Sequence, residues 1–595
     1  MNSESDESPR FDPQQASESL ARIAERSQQL VAGFLHRRQD ISGIGMVDPA
    51  NVGRAFAELA QRMMADPVAV TASTFDLWKA HLKLWQHTTQ RLVGAAKPFE
   101  VQRNDRRFRN PAWSDNAIFE YVKQSYLLSA DAILSAVRKV EGLDPRDAHK
   151  AEFYARQFVD AISPSNFVAT NPEVLKATLE TGGNNLLTGL ANLLQDLERG
   201  EGRLAITMTS SDAFRIGQNV ATTPGKVILQ NDLMQLIQYT PTTAQVRRRP
   251  LLIVPPWINK FYILDLRPEN SFIRWAVEKG HTVFVISWAN PDERLAQKSF
   301  EQYMEDGILA ALGGIEEVTS ERKVNAIGYC LGGTLLASTL AYLVMKDDER
   351  VASATYFVSL VDFSDVGDMA VFIDEDQLAA LERRMKERGY LDAHDMATSF
   401  NMLRANDLIW SFVVNNYLLG KEPVPFDLLY WNADATRMPA AMHGFYLRNM
   451  YQNNRLLVPG GISLKGVSID LRLIETPTFL LSTKEDHIAP WRSTYAATQI
   501  YGGPITFVLS ASGHIAGVIS PPGSKYGHWR NPELPKNAEE WLGGATAHAG
   551  SWWPFWDEWV TQFADGMTTA RLPGGRRLQP IEDAPGSYVR VRAVS

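Results

Sequence analysis

The sequence predicts an α/β protein in which a mainly parallel sheet, covered by helices on both faces, follows an all-helical N-terminal domain. Three observations predict it. Up to about residue 205, apolar residues recur at helical spacing and strand signals are few. Beyond Glu201-Gly202-Arg203, short β-rich runs alternate with helical stretches, the rhythm of parallel strands joined by crossover helices. Within that second part, 325–340 reads as the end of a strand, a glycine-rich turn and a helix, with the only cysteine of the chain, Cys330, at the turn.

Size and composition set the bounds. A chain of 595 residues exceeds one ordinary core, so two domains are expected, one of them large. Apolar residues at 45% and charged residues at 22% are the proportions of a soluble globular protein. A net charge of −8 argues against nucleic acid as the main partner. One cysteine excludes an internal disulfide framework and suits a reducing cytoplasm. The opening MNSESDESPRFDPQQ is polar and acidic, which is no secretory signal. No run of about eighteen uncharged apolar residues exists, so no membrane span is expected.

Taken in order, 1–18 is expected to be disordered and 19–205 to be the helical domain. Leu20, Ile23, Leu30, Val31 and Phe34 form one helical stripe, and Val52, Phe56, Leu59 and Met63 another. Trp78, Leu82 and Trp85 form a third, expected to face the core, with helix-in-groove docking or surface association as the alternative. The loop 111–115 ends in an N-cap before a helix through Phe119, Val122 and Tyr126. Asn171-Pro172 starts a further helix and Gly182-Gly183 breaks it. From 206 to 595 strands are expected at 227–229, 236–239, 250–254, 282–288, 323–327, 355–360, 478–482 and 505–510, the first two antiparallel. An insertion at 363–473, between the sixth and seventh strands, is too long to be a loop and reads as a cap. It holds a charged helical run at 374–388 and an aromatic section through Trp410, Tyr417, Tyr430 and Trp431.

The chemistry centres on Gly328-Tyr329-Cys330-Leu331-Gly332, a G-x-C-x-G version of the nucleophile elbow of α/β-hydrolases. A strand turning sharply into a helix strains the backbone at the turn, and the flanking glycines leave room for neighbouring elements. The N-terminus of the helix favours negative charge on the sulfur. Eight strands with the elbow after the fifth match an α/β-hydrolase fold with a large cap insertion. Its chain order requires an acid and then a histidine after the nucleophile. The seventh strand runs into Thr483-Lys484-Glu485-Asp486-His487 and the eighth into Ala511-Ser512-Gly513-His514. Both loops leave carboxyl ends of strands, where catalytic groups of open α/β sheets gather. Asp486 and His514 are therefore the expected acid and base, with Glu485 competing for the acid. His487 is expected to support them, and His394 and His443, in the cap, to be structural. An oxyanion hole would use the N–H of Leu331 and one from the loop Pro255-Pro256-Trp257-Ile258-Asn259-Lys260. The prolines lack N–H groups, so Trp257 and Ile258 are the first possible donors, and Ile258 is favoured.

Together with PPWINKFYILDL (255–266), PVPFDLLYWNADAT (423–436), EDHIAPW (485–491), ASGHIAGVI (511–519) and GSWWPFW (550–556), the elbow resembles the polyhydroxyalkanoate synthase family. The resemblance runs from about residue 100 to the C-terminus. The single long chain and the leucine after the cysteine resemble class I, the poly(3-hydroxybutyrate) polymerase type. The sequence departs from the family pattern at Trp257, where a small residue or cysteine is usual. The resemblance implies that Cys330, Asp486 and His514 are a triad. It implies an acyltransferase that polymerises (R)-3-hydroxyacyl-CoA, 3-hydroxybutyryl-CoA above all, through a Cys-bound acyl intermediate with release of CoA. No cofactor or metal is expected, since the CoA thioester is the substrate, and no residues are assigned to the CoA phosphates. The implied partners are the growing polyester chain, the polymer granule surface and granule-associated proteins, with the enzyme a homodimer at cytoplasmic granules. The rival readings are a Cys-dependent thioesterase or lactone hydrolase, which shares the triad, and a noncatalytic coat protein of polymer inclusions, against which an intact elbow argues.

Overall fold

A computed structural model describes residues 49–98 and 105–593. The disorder expected at 1–18 and the stripe from Leu20 to Phe34 lie outside the described residues. The chain divides into two compact units, one of residues up to 210 with 398–425, the other of 211–397 and 426–594.

The first unit is helical: α1 (Pro49–Ala65), α2 (Pro67–Leu92), α3 (Ala117–Arg138), α4 (Pro145–Ala161), α5 (Pro172–Glu180) and α6 (Asn184–Arg199). Local chemistry sets the ends. Asn116, one residue beyond the expected cap, accepts the N–H groups of Ile118 and Phe119 at the start of α3. Asn171 does the same for α5, with Pro172 at the first helical position. Gly183, at φ 89°, separates α5 from α6. The core is made of small clusters such as Phe108, Trp113, Tyr126 and Val159. The stripe of α2 departs from expectation: Trp78 is 58% exposed and Trp85 56%, with Phe75 and Leu82 exposed beside them. The helix buries Leu84 instead and turns His81 to Ser129 of α3, so its aromatic face points outward.

The first unit also takes 398–425 out of the expected cap. Buried Asp196 of α6 explains why. Its carboxylate accepts the Tyr417 hydroxyl at 2.6 Å, the Thr207 N–H at 2.9 Å and an Arg199 N–H at 2.8 Å. Asn185 donates to Leu418 O at 2.7 Å, and a Cβ at Gly189 would stand 1.8 Å from Tyr417 O. Trp410 and Tyr417 thus belong to the helical unit, and Tyr430 and Trp431 to the other.

The second unit is built on one eleven-stranded sheet. Its strands are β1 (Gly225–Gln230), β2 (Met234–Tyr239), β3 (Leu251–Val254), β4 (Val283–Trp288), β5 (Val324–Tyr329), β6 (Val351–Phe357), β7 (Thr478–Thr483), β8 (Ile505–Ser510), β9 (His528–Arg530), β10 (Thr546–His548) and β11 (Glu582–Asp583). The order is β10-β9-β8-β7-β6-β5-β3-β4-β2-β1-β11. Strands β3 to β8 pair in parallel, while β1, β2 and the edge strands are antiparallel. All eight expected strands are present, with the elbow after the fifth. The three additional ones are two or three residues long, too short to show a period. Strands β3, β4 and β5 are buried along their whole length, as a sheet covered on both faces requires. The helices of this unit include α7 (Phe272–Glu278), α8 (Ala310–Thr319), α9 (Leu331–Val344), α10 (Ala440–Tyr446) and α11 (Trp553–Thr561). Trp553 and Trp556 of α11 and the preceding Trp552 are fully buried against Phe272 of α7. Each indole is worth about 4–6 kcal/mol of apolar burial as an upper figure.

Candidate active site

Strand β5 ends at Tyr329 and α9 begins at Leu331, so Cys330 alone makes the turn, at φ 50° and ψ −118°. Such a positive φ is strained for a side chain with a Cβ, by about 1–3 kcal/mol, and persists because the surroundings fix it. The Cys330 N–H donates to Phe357 O at 2.9 Å, and its carbonyl accepts Gly333 N at 2.9 Å. A Cβ at Gly332 would lie 2.1 Å from Val254 O, and one at Gly328 2.4 Å from the Gly333 Cα. The glycines thus let α9 close on β3 and on its own strand. Leu331, as first residue of α9, has no acceptor one turn back for its N–H. The Cys330 thiol is free and partly buried.

The acid and base come from the loops after β7 and β8. His514 Nδ1 donates to Asp486 Oδ2 at 2.7 Å, and the ring lies near enough to Cys330 for the sulfur to raise its pKa. Asp486 is held in place by the N–H groups of Ile488 and Ala489, at 2.9 and 2.8 Å on Oδ1, and by the Thr483 hydroxyl at 3.2 Å on Oδ2. Burial works against charging His514, but the Asp486 carboxylate and the Cys330 sulfur outweigh it and push the ring up to about 10. The loop carrying His514 is anchored from α11: the Trp552 indole donates to Gly517 O and the Trp553 indole to Val518 O, both at 2.9 Å.

Cys330, His514 and Asp486 are therefore brought together. Glu485 turns outward and is exposed, which removes the competitor for the acid. His487 follows Asp486 in the same turn, half-buried. His394 takes its backbone N–H to Asp392 at a helix start. His443 is buried in α10, where burial pushes it down to about 4.

Two tyrosines missing from the sequence reading stand close to the sulfur. Burial raises the hydroxyl pKa of Tyr446, ending α10, and of Tyr451, in the π-helical turn Leu447–Gln452, with the neighbouring Cys330 adding to both and Asp486 to Tyr451. They pack edge-on against Phe363 and tilted against each other as an aromatic wall. No period or motif marks them, because their role depends on how the insertion folds back. Trp257 is buried among Trp288, Phe300, Tyr303 and Tyr446, tying the expected oxyanion loop to α10. A thiol, an imidazole and a carboxylate so arranged can pass the thiol proton to His514 and attack an acyl carbon, with Asp486 holding the ring.

The chain is similar to known proteins over most of its length. Residues 104–276 match the family model described as the N-terminus of poly-beta-hydroxybutyrate polymerase (PhaC), and 250–521 match the alpha/beta hydrolase fold. The poly(3-hydroxyalkanoate) polymerase subunit PhaC of Rhizobium meliloti (strain 1021) is 47% identical over 98% of this chain and 96% of its own. The poly(3-hydroxyalkanoate) polymerase of Methylorubrum extorquens is 50% identical over 94% and 93%. The PhaC subunit of Cupriavidus necator is 42% identical over 86% of each chain. With an α/β-hydrolase sheet and a cysteine elbow beneath that similarity, the chain belongs to the poly(3-hydroxyalkanoate) polymerase family of acyltransferase-type enzymes.

Proposed function

We propose that this protein polymerises 3-hydroxyacyl-CoA, with 3-hydroxybutyryl-CoA as the preferred monomer, through an acyl group carried on Cys330. The observation that carries the reading is the line Cys330–His514–Asp486 on a strained elbow, in a chain of this family. His514 takes the thiol proton as sulfur attacks the thioester carbonyl. The carbon–sulfur bond to CoA breaks, and CoA leaves with the proton from His514. The 3-hydroxyl of a second unit or of the chain then gives its proton to His514 and attacks the Cys330 thioester. An ester forms, and the cysteine sulfur is released and reprotonated. Thiolate–thioester exchange is nearly isoenergetic, and CoA is the only leaving group, so the cycle needs no cofactor. The wall of Phe363, Tyr446 and Tyr451 supports polymerisation over hydrolysis, since water at the acyl-enzyme would yield free acid. The exposed Phe75, Trp78, Leu82 and Trp85 of α2 suit contact with an apolar polyester surface, which supports work at cytoplasmic granules. Purified protein given 3-hydroxyacyl-CoAs of several lengths should release CoA fastest from the four-carbon substrate and yield polymer. Stoichiometric free 3-hydroxy acid without polymer would identify a thioesterase.

A further inference from the structure

The loop after β3 is gripped by a segment that follows it by more than 170 residues. Trp257 O accepts the Thr436 hydroxyl at 2.6 Å, and Ile258 O accepts the Thr436 N–H at 3.4 Å. Asn259 and Ala435 pair as an antiparallel bridge. Lys260 O accepts the Trp431 indole N–H at 2.7 Å. Below these contacts lies an ion pair, Lys260 Nζ to Asp434 Oδ1 at 2.7 Å, with both side chains at least 95% buried. The Tyr262 hydroxyl donates to Asp434 Oδ2 at 3.0 Å. At the start of the loop, Pro255 O accepts the Trp288 indole at 2.8 Å. Four carbonyls of one short loop are thus held by named donors, three of them from 431–436.

A planar trans peptide points its C=O and the following N–H in opposite directions. Fixing Trp257 O on the Thr436 hydroxyl therefore fixes the Ile258 N–H, sending it away from 434–436. Pro255 and Pro256 carry no N–H, so the second oxyanion donor begins at this peptide. We propose that Thr436, anchored by the buried Lys260–Asp434 pair, is a positioning residue that aims the Ile258 N–H at the thioester oxygen. The proposal rests on the reading of Cys330 as nucleophile. Thr436 touches no reacting atom. It sets the plane that does, and the desolvated ion pair keeps 434–436 from shifting, because separating the pair would leave a buried charge alone.

The test separates acyl transfer from bare thiol reactivity. Acylation is read as the burst of CoA released from 3-hydroxybutyryl-CoA in rapid quench. Alkylation of Cys330 by iodoacetamide, followed by intact mass, needs no oxyanion donor. Thr436→Val keeps the shape of the side chain and removes the hydroxyl. Loss of one aimed donor predicts acylation slower by about 10²-fold or more, with alkylation unchanged. Thr436→Ser should restore the burst. Asp434→Asn, which keeps size and loses the charge, should slow acylation about tenfold, again sparing alkylation. Wild-type acylation in Thr436→Val overturns the proposal, as does a parallel fall of acylation and alkylation or a failure of serine to rescue. If Thr436→Val does not fold, Asp434→Asn decides: an unchanged burst overturns the proposal. A wild-type enzyme that turns over after complete alkylation refutes the nucleophile reading itself, a separate outcome.

Discussion

The elbow at Cys330, the proposed nucleophile, and the loop at Ile258, whose N–H is the proposed oxyanion donor, are built in opposite ways. The elbow is made by its own residues: glycines at 328 and 332 allow approaches that a methyl group would block, and the strand and helix on either side follow at once. The loop owes its shape to donors at 288, 431 and 436. A locally specified element is sensitive to its own backbone chemistry. A remotely specified one tolerates changes in its own side chains but not in its clamps.

The largest effect should come at the elbow. Cys330→Ala should abolish CoA release while the protein still melts cooperatively, since alanine occupies the turn without a nucleophile. The chain has no second cysteine, so alkylation should modify one position and remove all activity. Next, Asp486→Asn should lower steady-state polymer growth by about 10⁴-fold. It should still release close to one CoA per site in a burst, because attack by a secondary alcohol needs an oriented base more than attack by a thiol does. Equal losses in burst and steady state would end that division of labour.

Gly332→Ala tests local specification directly. A methyl group 2.1 Å from Val254 O has only backbone to push against, so stability should fall by about 3 kcal/mol or more in a urea melt. A smaller loss would mean that α9 can back away from β3. The His514 pair gives a gentler, pH-dependent effect. Its folded-state pKa, raised to about 10, lies above the unfolded value of about 6.5. The stability it contributes is therefore fully present below pH ~6.5 and lost as pH rises through about 10. Melting temperatures of wild type and His514→Gln should converge across that window, and a constant gap would contradict it. The smallest effect belongs to the loop: Ile258→Ala keeps the backbone N–H, so acylation should change by less than about fivefold. A loss as large as that of Thr436→Val would show that the side chain, not the peptide plane, matters there.

The same contrast explains what the sequence made legible. The strands from β1 to β8, the elbow and the loops bearing Asp486 and His514 follow from periodicity, glycine placement and hydrolase chain order, which are local or topological signals. Position favoured Asp486 but left Glu485 competing; the Thr483 hydroxyl and the Ile488 and Ala489 N–H groups hold Asp486 against His514. Tyr446 and Tyr451 carried no local signal, and Thr436 only its place at the end of the 423–436 run, because the tertiary path of an insertion decides what they meet. The outward face of α2 was misread as core because periodicity reports that a face is apolar, not what covers it.

The sharing of 398–425 with the helical unit has a consequence for synthesis. Asp196, Asn185 and Gly189 take their partners from Tyr417 and Leu418, so the unit begun at the N-terminus lacks part of its packing until roughly 200 residues beyond 210 have been made. At about 5–20 residues per second, that is an interval of about 10–40 s. During it, a buried carboxylate and a helix face wait for a segment still to be translated. Truncation at 205 accordingly does not excise a domain. It leaves 398–425 without the surface that it was made to cover.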